Sequence, residues 1–231
     1  EECRDLVVAV RGSRGCYMLA ENYTYMKTNV LVRELVRHGL FGEIYYGEGA
    51  YIHELKALNE GTPWRRHWQT GVNGCTYPTH SLGPVLQWFA DGRRRADRVV
   101  SVSAVGTGHH YTDPRGDQYE MEDSGTMMCR TTSGGLIQIR VDMLSNRPSH
   151  STHYALQGTE GAYESGDGFQ GVPKVWLRSR SSAPKWEPLE DLGQEFLPEY
   201  WKNPPSEAEA AGHGGGDYWE VEDFVRAIRD E

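Results

Sequence analysis

Cysteine is scarce in this chain, and its placement is uninformative for chemistry: Cys3, Cys16, Cys75 and Cys129 stand far apart, with no CxxC pair. That pattern excludes a disulfide scaffold and a structural zinc site, and it fits the reduced thiols of a cytoplasmic protein. Positive charge is also short, with 24 Lys and Arg against 33 Asp and Glu and a net charge of −9. A nucleic-acid partner normally needs a basic face, so none is expected. The one basic run, Arg93-Arg94-Arg95, reads as a solvated turn. Long apolar runs are missing too; nothing approaches the ~18 residues of a membrane span, and no membrane partner is expected. The glycine run Gly214-Gly215-Gly216 follows no strand pattern and lacks G-x-G-x-x-G spacing, so it is no phosphate cradle. His109 and His110 lack a third ligand at metal spacing, and no metal site is expected.

What remains, at 231 residues, can bury a sizeable core. Residues 1–11 read as an amphipathic helix closed by Gly12-Ser13-Arg14-Gly15, and Cys16–Glu21 as a short buried strand. Val30, Leu31, Leu35 and Val36 recur at helical spacing up to Gly39, with Thr24 or Thr28 as cap. From Glu43 to Glu54 the pattern alternates, which predicts a strand. A polar, tryptophan-rich connection follows over residues 59–74, expected as an ordered lid. Leu82, Val85, Leu86 and Phe89 then give a helix. Strands are expected at 99–106, 126–132, 136–144, 153–158 and 175–178, several joined by tight turns. A Pro-rich acidic stretch over 182–211 is expected to wrap the surface, and a last helix follows, capped by Asp217. The grammar is α+β, with one large open, mostly antiparallel sheet carrying helices. The abrupt ends, with no initiator Met and no turn before Leu6, suggest a piece of a longer protein.

Two clusters carry the chemistry. Tyr51 and His53 lie two apart on the alternating strand, so their side chains stand together on one face. His80 lies at the start of the next helix, three residues after Tyr77. A phenol and two imidazoles brought to one pocket make a proton-transfer site. Trp64 and Arg65 suit stacking on, and hydrogen bonding to, a sugar, although packing beneath a lid explains them equally. His213, set among glycines, is a further candidate for substrate contact.

Several segments together resemble the Gfo/Idh/MocA family: Asn22, the run Val36–Ile44, Tyr51-x-His53, the helix entry at His80, and Asp223-Phe-Val-x-Ala-Ile228 near the end. The resemblance covers nearly the whole chain. It implies residues 1–21 as the end of a Rossmann domain and 22–231 as a substrate-binding and dimerising domain. Within the family, Glu21-Asn22, Tyr51-x-His53 and Tyr77-Pro-Thr-His80-x-Leu-Gly-Pro84 are most similar to the NAD-dependent α-N-acetylgalactosaminidase-like branch. Many dehydrogenase relatives carry an aspartate where this chain has Thr76, which moves the resemblance toward the glycosidases.

The resemblance implies NAD or NADP as cofactor, with Glu21 and His80 near it, and catalytic His80, Tyr51 and His53. Tyr77, Glu21, Asn22, Trp64, Arg65 and His213 would contact a sugar or glycoside. The expected reaction is hydride transfer at a ring carbon. Its net outcome is oxidation if Tyr51 only binds, or redox-neutral glycoside cleavage if Tyr51 is a second base. A non-catalytic module that forms homo-oligomers through the open sheet face is the other reading. On that view Ile137, Ile139, Val141 and Met143 need a cover.

Overall fold

The computed structural model describes residues 2–92, 97–148, 151–166 and 171–229. The Arg93-Arg94-Arg95 run lies outside them. An eight-stranded sheet in the order β2-β3-β4-β1-β5-β6-β7-β8 organises the chain. Its strands are β1 (Ile44–Ile52), β2 (Val99–Gly106), β3 (Ser124–Thr131), β4 (Leu136–Asp142), β5 (Ser151–Gly158), β6 (Gly161–Glu164), β7 (Lys174–Leu177) and β8 (Glu187–Pro188). All pairs are antiparallel except β1 with β4. The helices are α1 (Glu2–Gly12), α2 (Lys27–Arg37), α3 (Lys56–Gly61), α4 (Pro63–Trp68), α5 (Thr79–Asp91), α6 (Gly193–Phe196), α7 (Glu199–Lys202), α8 (Ser206–Ala210) and α9 (Gly216–Arg229). The expected α+β architecture with one open, mostly antiparallel sheet is borne out.

The core lies between the sheet and α2 and α5. Ile137, Ile139, Val141 and Met143 point into it and are fully buried. The opposite face is therefore not the apolar one. It presents half-exposed Tyr46, Glu48 and Ala50 of β1 beside Leu136, Gln138 and Arg140 of β4, with no cover among the described residues. Strand β2 forms one edge, where Val100, Val102 and Val105 are exposed.

Helix α5 can cross the sheet closely because β1 offers glycines on that side. A Cβ at Gly47 would meet Val85 Cγ1 at 2.6 Å, and one at Gly49 would meet the Ser81 carbonyl oxygen at 2.0 Å. Pro84 sits inside α5, so the His80 carbonyl four residues earlier receives no helical N–H. The buried Tyr154 hydroxyl donates to that carbonyl instead. Trp88, fully buried, stands edge-on to Tyr154 and Tyr163 with centroids 5.7 Å away, and its Nε1 donates to the Asn29 carbonyl at 3.1 Å. These contacts fix α5, and with it His80, to both β5 and α2.

Four local expectations are corrected. Residues 16–21 form no strand: none of the described strands lies alongside to pair with them, and Tyr17 and Leu19 are exposed. Neither Thr24 nor Thr28 caps α2; Met26 holds that position without a side-chain bond, while Thr24 donates to the Glu21 carbonyl. The expected loop at 59–74 contains the second half of α3 and all of α4, with Pro63 in the first turn of α4, where its missing N–H costs nothing. The 182–211 stretch is not a surface wrap, since Leu189, Leu192, Leu197, Trp201 and Ala208 from its short turns are buried. Strands β6 and β8 were too short for periodicity to reveal.

Asp97 closes the β3–β4 turn. Its carboxylate accepts from the Thr132 hydroxyl at 2.5 Å, from the Ser133 amide at 3.1 Å and from the Ser133 hydroxyl. Burial works against its ionisation, but hydrogen bonds from Ser133, Thr132 and Thr131 outweigh that and hold its pKa at about 2. An unfolded aspartate titrates near ~4, so the folded value is the lower one. The stabilisation is complete above about pH 4 and disappears as pH falls through about 2, a contribution of about 2 kcal/mol. Asp97→Asn should therefore lower the urea midpoint at neutral pH and flatten its fall in that acid window. Parallel curves for the two proteins would refute the assignment.

Candidate active site

His80 is the second residue of α5, and the chain before it brings a carboxylate to its ring. Glu21 caps the short 3-10 turn Asn22–Tyr25 by accepting from the Tyr23 amide at 3.2 Å. The same oxygen, Oε1, lies 2.8 Å from His80 Nδ1. A carboxylate only accepts, so Nδ1 carries the proton and Nε2 of the neutral ring is left as an acceptor. Tyr77 Oη stands 3.2 Å from that Nε2. Gly83, one turn along α5, makes room for the arrangement, because a Cβ there would meet Glu21 Cγ at 2.8 Å. Glu21 is 7 % exposed, so the dyad is shielded from competing water.

Three other rings surround His80. Tyr23 lies against it at 4.1 Å between centroids, Tyr77 stands edge-on at 5.0 Å, and Tyr51 is tilted at 5.5 Å. His53 stacks on Tyr51 at 5.8 Å with planes 12° apart, as the strand parity requires. The His53 amide donates to the Asp142 carbonyl, while its Nδ1 is buried with no protein partner. Burial, then Tyr77 and Tyr23, push the Tyr51 phenol far up, against the opposing pull of the Arg65 guanidinium. Burial and then Glu21 raise Tyr77, again opposed by Arg65. Arg65 thus faces both phenols from α4, and its guanidinium lies 4.3 Å over the Trp64 ring. Trp64 itself is 54 % exposed, at the rim.

The far end of the chain closes the other side. His213 adopts φ 53° between glycines, a left-handed conformation that costs a non-glycine residue energy and is found where a site imposes it. Its Nδ1 faces Asp217 Oδ1 at 2.9 Å, and Asn22 Nδ2 donates to the same oxygen at 2.7 Å. The His213 ring is 6.5 Å from His80 and 5.5 Å from Tyr23. Burial works to raise the Asp217 carboxyl, yet hydrogen bonds from His213 and Asn22 outweigh it and hold the group below the usual range. Glu220, one turn on and buried, is pushed up by burial and by the charges of Asp217 and Glu21.

The structure therefore gathers Glu21, Asn22, Tyr51, His53, Tyr77, His80 and His213 in one cluster, with Arg65 and Trp64 on its rim. Asp217 was expected only as a helix cap. It lies inside the first turn of α9 and orients His213. Tyr23 and Glu220 were missed; adjacency to Asn22 was the only signal for the first, and the second sat on what reads as the polar side of α9. Thr76 donates to the Gln69 carbonyl at 3.0 Å and holds the loop before α5.

Residues 25–231 match the family described as Glycosyl hydrolase 109, C-terminal domain. The chain belongs to the glycosyl hydrolase 109 family. It is 33% identical to an α-N-acetylgalactosaminidase of Shewanella oneidensis over 251 aligned positions, covering 99% of this chain and 53% of that protein. A glycosyl hydrolase family 109 protein of Shewanella pealeana is 34% identical over 247 positions, with the same coverage of 99% and 53%. The chain spans about half the length of these curated relatives. Among solved structures, levoglucosan dehydrogenase in complex with NADH and L-sorbose superposes with TM-score 0.71 at 19% identity, over 96% of this chain and 59% of that one. An inositol dehydrogenase homolog of Azotobacter vinelandii complexed with NAD+ gives TM-score 0.57 at 15% identity, over 90% and 52%. The glycosyl hydrolase 109 chain thus shares the fold of the C-terminal domain of Gfo/Idh/MocA oxidoreductases, and the expected glycosidase branch is borne out. None of its helices among the described residues is long and apolar enough to cross a membrane.

Proposed function

We propose that the full-length protein is a nicotinamide-dependent glycosidase acting on an α-N-acetylgalactosaminide, and that this chain supplies the sugar site. The observation that carries the reading is the Glu21–His80 dyad, with Nε2 directed to Tyr77 and Tyr51 one ring away. The residues present fit the reactive end of such a cofactor and its sugar. Asn22 Oδ1 and His53 Nδ1 are buried without protein partners, leaving polar positions for ligand groups. No strand-to-helix glycine turn for a pyrophosphate occurs among the described residues. That element belongs to a cofactor domain, to which residues 1–21 are assigned. In support, Leu6, Val7 and Val8 of α1 and Leu19 expose apolar surface, and a groove of about 540 Å³ lined by Leu19, Leu82 and Leu86 runs past Glu21.

A bound nicotinamide supplies a reversible acceptor for a hydride from a sugar ring carbon. His80 Nε2 takes the proton of the hydroxyl on that carbon, and Glu21 stabilises the imidazolium that results. The ketone so formed acidifies the neighbouring C–H. Tyr51, once ionised, removes that proton, and the C1–O bond breaks with its electron pair leaving on the aglycone oxygen. Water then adds at C1 and Tyr51 returns its proton to the neighbouring carbon; a bound nicotinamide would give the hydride back, so the cycle would consume no oxidant. His213, oriented by Asp217, and Arg65 hold the sugar between them.

One observation favours a second reading, plain sugar oxidation: burial keeps the Tyr51 phenol protonated, which suits a donor better than a base. Tyr51→Phe in the full-length protein separates the two. For the glycosidase, aglycone release from a nitrophenyl glycoside falls by about 10²-fold or more. In the wild type, release climbs with pH beyond ~10, because a raised phenol must ionise first. Stoichiometric reduced nicotinamide from free sugar with no aglycone release, unchanged by Tyr51→Phe, makes the enzyme a dehydrogenase.

A further inference from the structure

The rim of the site carries two large apolar side chains that the reaction does not use. Trp64 and Trp68 are 54 % and 63 % exposed and lie four residues apart, so they share one face of α4. The helix beneath them is anchored. Gln69 and Thr70, just past its end, are buried, and Arg66 is paired with Glu60 at 3.3 Å and lies over the Tyr119 ring. At 100° per residue, Arg65 falls between this buried side and the Trp68–Trp64 stripe. Its guanidinium acts on the Tyr51 and Tyr77 phenols and covers part of Trp64. A path therefore leads outward from the phenols, past Arg65, onto two tryptophan faces.

We propose that Trp64 and Trp68 form a second sugar subsite, which binds the unit on the leaving-group side of the cleaved bond. The inference rests on the glycosidase reading and adds which surface of this chain receives the leaving-group unit. The occupant follows from the chemistry of the rim. A pyranose presents C–H groups to an aromatic face and hydroxyls at its edge, and here the exposed indoles flank the guanidinium of Arg65. A buried protein interface would leave the Arg65 charge without an acidic partner at its centre. Tryptophans fixed on an anchored helix also lose little conformational entropy on binding, unlike side chains on a mobile loop.

The test uses the full-length protein with two probes, methyl α-N-acetylgalactosaminide and N-acetylgalactosamine α-linked to galactose. Trp68→Ala should lower kcat/KM for the disaccharide about tenfold through KM and leave the methyl glycoside unchanged, with Trp68→Phe restoring most of the loss. Equal losses on both probes, or none on either, overturn the subsite. If the wild type cleaves neither probe, the glycosidase reading fails. Equilibrium titration then decides the subsite alone: tryptophan fluorescence changing with the disaccharide at tenfold lower concentration than with the methyl glycoside supports it, and identical titrations refute it.

Discussion

Exchanging His80 for glutamine in the full-length protein should reduce turnover by about 10²- to 10⁴-fold, the range a positioned acid–base group contributes. Glutamine fills a similar volume and keeps a donor near Glu21 Oε1, which lies 2.8 Å from Nδ1 in the native site. It offers no nitrogen lone pair where Nε2 meets Tyr77, so the hydroxyl proton has nowhere to go. The loss therefore falls on kcat, with KM little changed. Glu21→Gln is the companion variant. It retains an acceptor for Nδ1 and removes the charge that stabilises the imidazolium, so its effect should be smaller than that of His80→Gln. Initial rates on a nitrophenyl α-N-acetylgalactosaminide, together with far-ultraviolet circular dichroism to confirm folding, read both. Turnover within threefold of wild type for His80→Gln removes the residue from proton transfer.

The parts of this site that sequence made visible are those whose geometry is local. Strand parity put Tyr51 and His53 side by side, and helix start signals placed His80 at the head of α5. The parts that stayed hidden depend on contacts between distant segments. The bond from Glu21 to His80 spans 59 residues and that from Asn22 to Asp217 spans 195. No periodicity reports a pairing of that range; resemblance to a family made Glu21 a candidate, and only the surrounding glycines singled out His213. Tyr23 shows the limit: its ring is the one nearest His80, but in sequence it is one of 13 tyrosines.

The fold divides in the same way. Alternation in residues 44–52 and 136–142 marks strands that are buried on one side, and both appear where expected. Residues 16–21 have the composition of a strand but no partner to pair with, and composition alone cannot supply one. The 182–211 stretch failed for the opposite reason. Its prolines and acids suggested solvent, yet its short turns contribute scattered apolar anchors, such as Leu192 and Trp201, too sparsely to form a period.

Gly49→Ala should destabilise the chain by about 3 kcal/mol, at the upper end of the cost of overpacking a core. The substitution is mild by every local measure, since Gly49 lies in an extended strand, where alanine is accepted more readily than glycine. The cost comes from across the layer. The new Cβ would lie 2.0 Å from the Ser81 carbonyl oxygen and 2.8 Å from its carbon, and a helix backbone cannot yield as a side chain can. Gly47→Ala is the control, because its Cβ would meet Val85 Cγ1 at 2.6 Å and Phe89 Cε2 at 2.9 Å, groups that can rotate aside. That variant should cost nearer 1 kcal/mol. For a domain of this size, the two correspond to melting-point drops of roughly 6–12 °C and 2–4 °C. The function should follow the backbone. Ser81 adjoins His80, so lifting the first turn of α5 draws the imidazole away from Glu21, and a displacement of about 1 Å in a catalytic group can cost 10²-fold in rate. Thermal unfolding and turnover should therefore fall together for Gly49→Ala, whereas Gly47→Ala should lose stability with most of its turnover retained. If the two variants melt alike, the close crossing of α5 over β1 does not set the position of His80.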